Sequence, residues 1–296
     1  MKGRIFLTGA AGRLGATFAE ACAGRDLVAH ARTTLDITDP RMVGKAIADA
    51  APGVVINCAA FNDVDGAEQR PTEALAANAF AVRSLARAAE AVGATLVHLS
   101  TDFVFDGTAT EAYREDDETS PRSTYASSKL LGEWFACEAP GAYVLRVESL
   151  FGAPGGWQGR PGSLDAILDG LERGAEVKAF TDRIVSPSYV HDVASAVLHL
   201  LETRAPAGVY HCVNSGQATW YEVAEESARL LGVAPRLRPI TMETAGLKAS
   251  RPRFCALANQ KLADAGFPMP TWHDSLRRWL TVRSASKARM DASHHG

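Results

Sequence analysis

The sequence predicts an α/β protein, a doubly wound parallel sheet with a smaller C-terminal subdomain interleaved with it. Two observations carry the sheet: short apolar runs rich in β-branched residues alternate with longer Ala/Leu/Glu/Arg segments of helical period, and strands apolar almost throughout belong to parallel sheets covered by helices on both faces. A third carries the subdomain. Past residue 150 the alternation gives way to a Gly/Pro-rich loop and a less regular succession of elements.

In chain order, "RIFL" (4–7) is the first strand and a helix starts near Gly12. "DLVAH" (26–30) is a candidate strand and "GVVINCAA" (53–60) a strong one. An Ala-rich helix (71–93), the strand "TLVHLS" (95–100), a helix holding Tyr125 and the strand "AYVLRVESL" (142–150) follow, joined by right-handed crossovers. "FGAPGGWQGRPG" (151–162) reads as a loop rather than a tether, because helical "SLDAILDGLERG" follows at once. Then come "VKAF", a helix from about Tyr189 to Leu201, the strand "GVYHCVN" and the helix "WYEVAEESARLLG". The expected division is residues 1–150 with 181–213 as the sheet domain and 151–180 with 214–283 as the smaller subdomain, leaving 284–296 as a mobile tail of low apolar content.

The 296 residues suffice for a large core without staples. With 31 basic and 34 acidic residues and no long run of either sign, neither nucleic acid nor an anionic membrane is expected as the main partner, and a small ligand is. Five scattered cysteines without CxxC spacing suggest neither a disulfide framework nor a zinc site, so no metal is expected. No apolar run approaches the ~20 residues that span a bilayer, and the chain runs from "MKG" straight into a strand. A soluble, cytoplasmic protein is the expectation.

"LTGAAGRLG" spaces Gly9, Gly12 and Gly15 three apart between a strand and a helix. The first glycine permits a tight turn, the second a close approach to a pyrophosphate and the third close helix packing, while the helix N-terminus meets the phosphates. The expected architecture is therefore Rossmann-type, with Leu14 among the cofactor contacts; the alternative is a plain strand-helix turn. At the end of the second strand, "AHARTT" lacks the carboxylate that binds a ribose 2′-hydroxyl. Arg32 there, with Arg13 in the loop, suits a 2′-phosphate, so NADPH is favoured over NADH; the alternative is that Arg32 is a solvated strand-end residue. Asp36 and Ile37, in "LDITD", are expected on the adenine side.

Tyr125 and Lys129, in "STYASSK", stand at i and i+4 on one helix face. An ammonium beside a phenol would lower its pKa towards the range of a general acid. Carbonyl reduction needs such a donor for the oxygen that gains charge, and Thr101 at its strand end could hydrogen-bond the same oxygen.

Together the glycine loop, "INCAAFNDVDGAE" (56–68), "LSTDFVFDG" (99–107) and "YASSK" resemble the extended short-chain dehydrogenase/reductase superfamily, and more closely the dTDP-4-dehydrorhamnose reductase family. "DRIVSPSYVHDVASAV" (182–197), "GVYHCVNSGQATWYEVA" (208–224) and the "RPRF…LANQKLADAGFPMPTWHDSLRRWL" ending extend the resemblance over nearly the whole chain. It implies Tyr125 as proton donor, Lys129 as the group that binds the nicotinamide ribose and tunes the tyrosine, and Thr101 as polariser of the carbonyl. Asp102 would act beside them or touch substrate. Ala59 and Ala60 would lie low against the cofactor, Asn62 and Val64 would line a sugar pocket, and Asn78 would match the family's asparagine, unless it is simply a polar residue on an Ala-rich helix. The implied reaction is reduction of the 4-keto group of a nucleotide-activated 6-deoxy sugar, in a family whose members often form homodimers. The alternatives are a ketoreductase of another deoxysugar and a non-catalytic NADP-binding regulatory subunit like that of methionine adenosyltransferase.

Two stretches depart from the family pattern. "RVESLFG" (146–152) puts Glu148 where serine is usual, bordering the reacting sugar, and "AAFNDVD" alters pocket polarity through Asn62 and Asp63. Arg251 and Arg253, in "SRPRF", suit a substrate diphosphate, or else form a solvated pair. Trp157 and Trp220 could stack on a nucleobase or serve in packing.

Overall fold

The computed structural model describes residues 3–293, with side chains described to residue 285. Five strands, β1 (Ile5–Thr8), β2 (Leu27–His30), β3 (Val54–Asn57), β4 (Thr95–Thr101) and β5 (Tyr143–Val147), join the Gly208–His211 strand in one six-stranded sheet. Every pairing is parallel, and from one edge the order is Gly208–His211, β5, β4, β3, β1, β2. β1 thus has β2 on one side and β3 on the other. The order reverses at β1/β3, and the crevice outside the carboxyl ends of those strands is where such sheets bind ligands.

Helix boundaries follow local chemistry. α1 (Arg13–Ala21) starts at Gly12 and buries Leu14, Thr17 and Phe18. At α2 (Pro40–Ala50) the Asp39 carboxylate accepts the Arg41 and Met42 N–H groups, with proline at the first position. The Ala-rich segment expected as one helix is α4 (Pro71–Leu75), a π-helical turn (Ala76–Phe80) and α5 (Ala81–Ala91), preceded by the short α3 (Val64–Gln69). α6 (Thr124–Cys137) is capped by the Ser123 hydroxyl on the Ala126 N–H. α7 (Ser163–Glu172), α8 (Val190–Thr203), α9 (Trp220–Leu231), the short α10 (Gln260–Asp264) and α11 (Trp272–Ser293) complete the set. Thr219 and Glu222 cap α9 reciprocally, and Gly232 ends it in the left-handed conformation.

Beyond β5 the chain adds a smaller set of elements. Glu176–Phe180 pairs in parallel with Arg236–Ile240, and α7 packs against α9. It has no separate core, because one apolar cluster runs from Ile5, Ile56, Val97 and Leu145 of the sheet through α8 to Leu168, Val223 and Trp279. The segment expected as a tail differs: α11 continues through Ser293, in keeping with the good helix formers Ala, Arg, Lys and Met beyond Leu280. Residues 294–296 lie outside the described residues. Among the described residues, no helix is long and apolar enough to cross a membrane.

Candidate active site

The β1–α1 turn is set by backbone contact. Gly9 has φ +71°, and a Cβ there would lie 2.5 Å from the Ala59 nitrogen, so the turn touches the chain leaving β3. A Cβ on Gly15 would lie 2.1 Å from the Gly9 oxygen, which holds the first turn of α1 against the loop. Gly12, at the α1 N-cap, makes no side-chain cap, so the N-terminus is left bare for an anion. These are the clearances that a dinucleotide's pyrophosphate needs.

Two cavities, of about 320 and about 380 Å³, adjoin here and share Gly12, Cys58, Ala60 and Asn62. The larger is bordered by Gly9, Arg32, Asp36, Ile37 and Ala59. Arg32 is exposed and has no ion pair among the described residues, whereas Asp36 is held in its own turn by the Thr38 N–H (2.9 Å) and hydroxyl (2.7 Å). Those two bonds hold the Asp36 carboxyl below its usual range.

The second cavity gathers Leu14, Gly15, Val64, Thr101, Asp102, Tyr125, Lys129 and Glu148. β4 delivers Thr101 and Asp102 at its carboxyl end, α6 delivers Tyr125 and Lys129 one turn apart, and the chain leaving β5 delivers Glu148. The Tyr125 ring stands edge-on to Phe103 at 5.6 Å, and Tyr125 lines the cavity together with Thr101. The Thr101 hydroxyl donates to Asp102 Oδ1 at 2.9 Å. Lys129 Nζ donates to the Leu99 carbonyl at 2.5 Å.

The electrostatics correct one expectation. Burial, then the Asp102 carboxylate, push the Tyr125 phenol above its usual pKa, against a weaker pull from Thr101. Lys129 does not lower it; burial brings Lys129 itself down to about 8, opposed by Glu133 and Cys58. The i, i+4 spacing puts the two on one face, but the ammonium is drawn to the Leu99 carbonyl. Tyr125 accordingly stands in its protonated, proton-donating form.

Four predicted contacts lie elsewhere. Asn78 borders neither cavity; buried in the π turn, it accepts the Phe61 N–H (2.7 Å) and donates to Phe61 O (3.1 Å) and Ser128 Oγ (3.0 Å). It thereby fixes the loop after β3, including Ala60 and Asn62, to α6. Arg13 donates to Gly152 O (2.7 Å), pairs with Asp165 and lies over the Trp157 ring. It borders the cavity of Tyr125 rather than the one at Arg32. Arg251 grips both Asp65 oxygens at 3.0 Å and holds that carboxyl down at about pKa 2, while the exposed Arg253 borders neither cavity. Neither arginine of "SRPRF" borders either of these two cavities. Trp157 donates to Ala11 O at 3.1 Å, and Trp220 is a buried residue of α9.

Sequence reasoning missed Arg183, Cys255 and Cys58. Cys58 borders both cavities. Arg183 lies against the Phe103 ring, and with Cys255 it faces Asp102 and Glu148 from behind. Their numbers lie far from Thr101, and no local pattern announces them.

Residues 2–284 match the family model for the RmlD substrate binding domain. The dTDP-4-dehydrorhamnose reductase of Streptomyces griseus is 38% identical over 284 residues, covering 92% of this chain and 91% of that one. A probable dTDP-4,6-dihydroxy-2-methyloxan-3-one 4-ketoreductase of Streptomyces antibioticus is 36% identical, covering 93% of each. The crystal structure of the Bacillus anthracis dTDP-4-dehydrorhamnose reductase in complex with NADP superposes with a TM-score of 0.89 at 31% identity, covering 95% of this chain and 99% of that one.

Proposed function

The chain belongs to the RmlD substrate-binding-domain family, and on that premise we propose that it is an NADPH-dependent reductase of the 4-keto group of a nucleotide-activated 6-deoxy sugar, of the kind that turns dTDP-4-dehydro-L-rhamnose into dTDP-L-rhamnose. One observation carries the reading: Thr101, Tyr125 and Lys129 line one cavity that adjoins the crevice at the glycine loop.

Gly9, Gly12 and Gly15 would hold the pyrophosphate, Ala59 and Ala60 the backbone side of the dinucleotide, Asp36 and Ile37 its adenine end, and Arg32 a 2′-phosphate. Bound there, the reduced nicotinamide supplies hydride to the carbonyl carbon. Tyr125 would give its proton to the carbonyl oxygen, and Thr101, turning its single hydroxyl proton from Asp102, would donate a hydrogen bond to that oxygen as charge grows on it. Lys129, brought down to about 8, is still mostly protonated at neutral pH and would bind the nicotinamide ribose. Asn62, Val64, Asp102 and Glu148 would border the sugar. The same reading makes the protein a cytoplasmic homodimer, which its mass in solution tests.

The Streptomyces antibioticus relative, with the carboxyl of Glu148 in the cavity, favours as second reading a ketoreductase of another deoxysugar. The test follows loss of NADPH absorbance with dTDP-4-keto-L-rhamnose generated in situ from dTDP-glucose. Turnover is expected from the wild-type chain and not from Tyr125→Phe, which should still bind NADPH. No wild-type turnover with this sugar, but turnover with another nucleotide 4-keto sugar, would favour the second reading; turnover with neither would sink both.

A further inference from the structure

Asp102 and Glu148 reach the wall of the catalytic cavity from two separate segments, and the protein leaves each of them one hydrogen bond short. They are 3% and 2% exposed, and Asp102 Oδ2 and Glu148 Oε1 are buried with no hydrogen-bond partner. The opposite oxygens are engaged: Asp102 Oδ1 accepts the Thr101 hydroxyl (2.9 Å) and Glu148 Oε2 accepts the Ser186 N–H (2.7 Å). An oxygen of each carboxyl and the Cys255 sulfur fall within 4.8 Å of one another.

The surrounding donors are turned elsewhere. The Cys255 thiol donates to Pro252 O (3.3 Å) and Lys129 to Leu99 O (2.5 Å). Arg183 faces both carboxyls with its charge, yet its own buried Nε also lacks a partner. That charge makes a metal cation a poor occupant, and a neutral O–H group a good one. We infer that the two carboxyls accept hydrogen bonds from neighbouring hydroxyls of the substrate sugar, Asp102 from the one beside the ketone and Glu148 from the next, so that the site selects a 4-keto-6-deoxy sugar that keeps its C2,C3 diol over the 2-deoxy counterpart. This selection rests on the reductase reading.

The order of the two contacts follows from the Thr101 hydroxyl. It has one proton, and when it turns that proton to the ketone oxygen, Asp102 Oδ1 loses its donor as well. The C3 hydroxyl stands next to the ketone oxygen that Thr101 then serves, and it takes the place of Thr101 on Asp102. On the other side of the ketone, C5 carries the methyl carbon and has no hydroxyl to offer. The C2 hydroxyl is adjacent to the C3 hydroxyl, as the Glu148 carboxyl is to that of Asp102, so the diol serves both acceptors at once. Burial lifts both carboxyls above their usual range, the direction expected of acceptors that the protein leaves partly unserved. Asp102 and Glu148 are thus substrate-binding groups, and no proton leaves either of them.

The experiment compares kcat/KM with NADPH on dTDP-4-keto-L-rhamnose, or on whichever nucleotide 4-keto sugar the chain reduces with its diol intact, and on the 2-deoxy counterpart. The wild type should prefer the diol sugar by about ten- to 100-fold, the effect of one hydrogen bond to a buried carboxyl. In Glu148→Ala the preference should collapse towards unity, the diol sugar losing rate and the 2-deoxy sugar keeping its own. A defect of folding or of cofactor placement lowers both sugars alike and leaves their ratio, so an unmoved ratio overturns the assignment to Glu148. Glu148→Gln, whose amide still accepts the Ser186 N–H, decides the matter if the alanine variant does not fold: its preference should fall below that of the wild type, and an unchanged one overturns the assignment. An equal or reversed preference in the wild type overturns the selection and leaves the reductase reading standing. A wild type that reduces no keto sugar sinks both.

Discussion

Replacing Gly15 by alanine would put a carbon 2.1 Å from the Gly9 carbonyl oxygen and 2.7 Å from its carbon, with Ala10 Cα at 3.0 Å. Ordinary contact begins at 3.4 Å, so loop and helix must part by about 1.3 Å. Neither side can yield freely: Gly9 O already accepts the Gly12 N–H at 2.9 Å, and Gly9 abuts Ala59. Overpacking of this kind costs about 1–3 kcal/mol. The displaced groups are those that would bind phosphate, and losing one hydrogen bond to a charged group, worth about 1.5–3 kcal/mol, weakens affinity by about ten- to 100-fold. Fluorescence titration with NADPH, alongside thermal unfolding, reads both effects. Gly44→Ala is the control: nothing lies within 4 Å of its Cβ in the middle of α2, and alanine there should stabilise by about 0.5–1 kcal/mol and leave NADPH affinity alone. Gly15→Ala binding NADPH as the wild type does would refute the assignment of this turn to the cofactor.

Two further predictions test the neighbouring electrostatics. Arg32→Asp should shift preference from NADPH towards NADH, since Arg32 borders the cavity proposed for the adenosine end; unchanged selectivity would remove it from the 2′-phosphate. Arg146 and Glu133 form a buried pair at 2.9 Å, with Ser100 Oγ also on Glu133 (2.5 Å). Arg146→Met leaves the carboxylate buried without its cation and should cost about 3–5 kcal/mol in urea unfolding, much of it recovered by adding Glu133→Gln; a single-variant cost below about 1 kcal/mol would show that the pair is not desolvated.

The parts of the site legible in sequence are those set by local spacing. Gly9, Gly12 and Gly15 fall into place because strand, turn and helix are contiguous, and Thr101 because a strand end is also a sheet end. Tyr125 and Lys129 share a face, as i, i+4 requires, yet spacing could not reveal which carbonyl would capture the ammonium. Asn78, Arg13 and Arg251 each have partners that spacing does not reveal, namely Phe61 and Ser128, Asp165 and Gly152, and Asp65. Those partners lie 17 to 186 residues away in sequence. The carboxyl cluster was invisible for the same reason, since Asp102, Glu148, Arg183 and Cys255 meet only once β4, the chain after β5 and two later loops are stacked at one end of the sheet.

Lys129 offers the sharpest pH test of this arrangement, because its partner is a carbonyl rather than an acid. Its folded pKa of about 8 lies below the 10.5 of an unfolded lysine. Between those values the unfolded chain carries the extra proton, so this residue makes stability rise with pH from about 8 and level off near 10.5. Below about 8 both states are charged and the desolvation penalty is felt in full. Lys129→Met keeps the stem and removes the charge, so it should be more stable than the wild type at neutral pH, with the advantage shrinking as pH rises through that window. Urea unfolding of the two proteins at pH values across the window measures it. An advantage that stays constant with pH would mean that the ammonium is solvated, and the short Lys129–Leu99 contact would then not be what holds the base of the catalytic cavity.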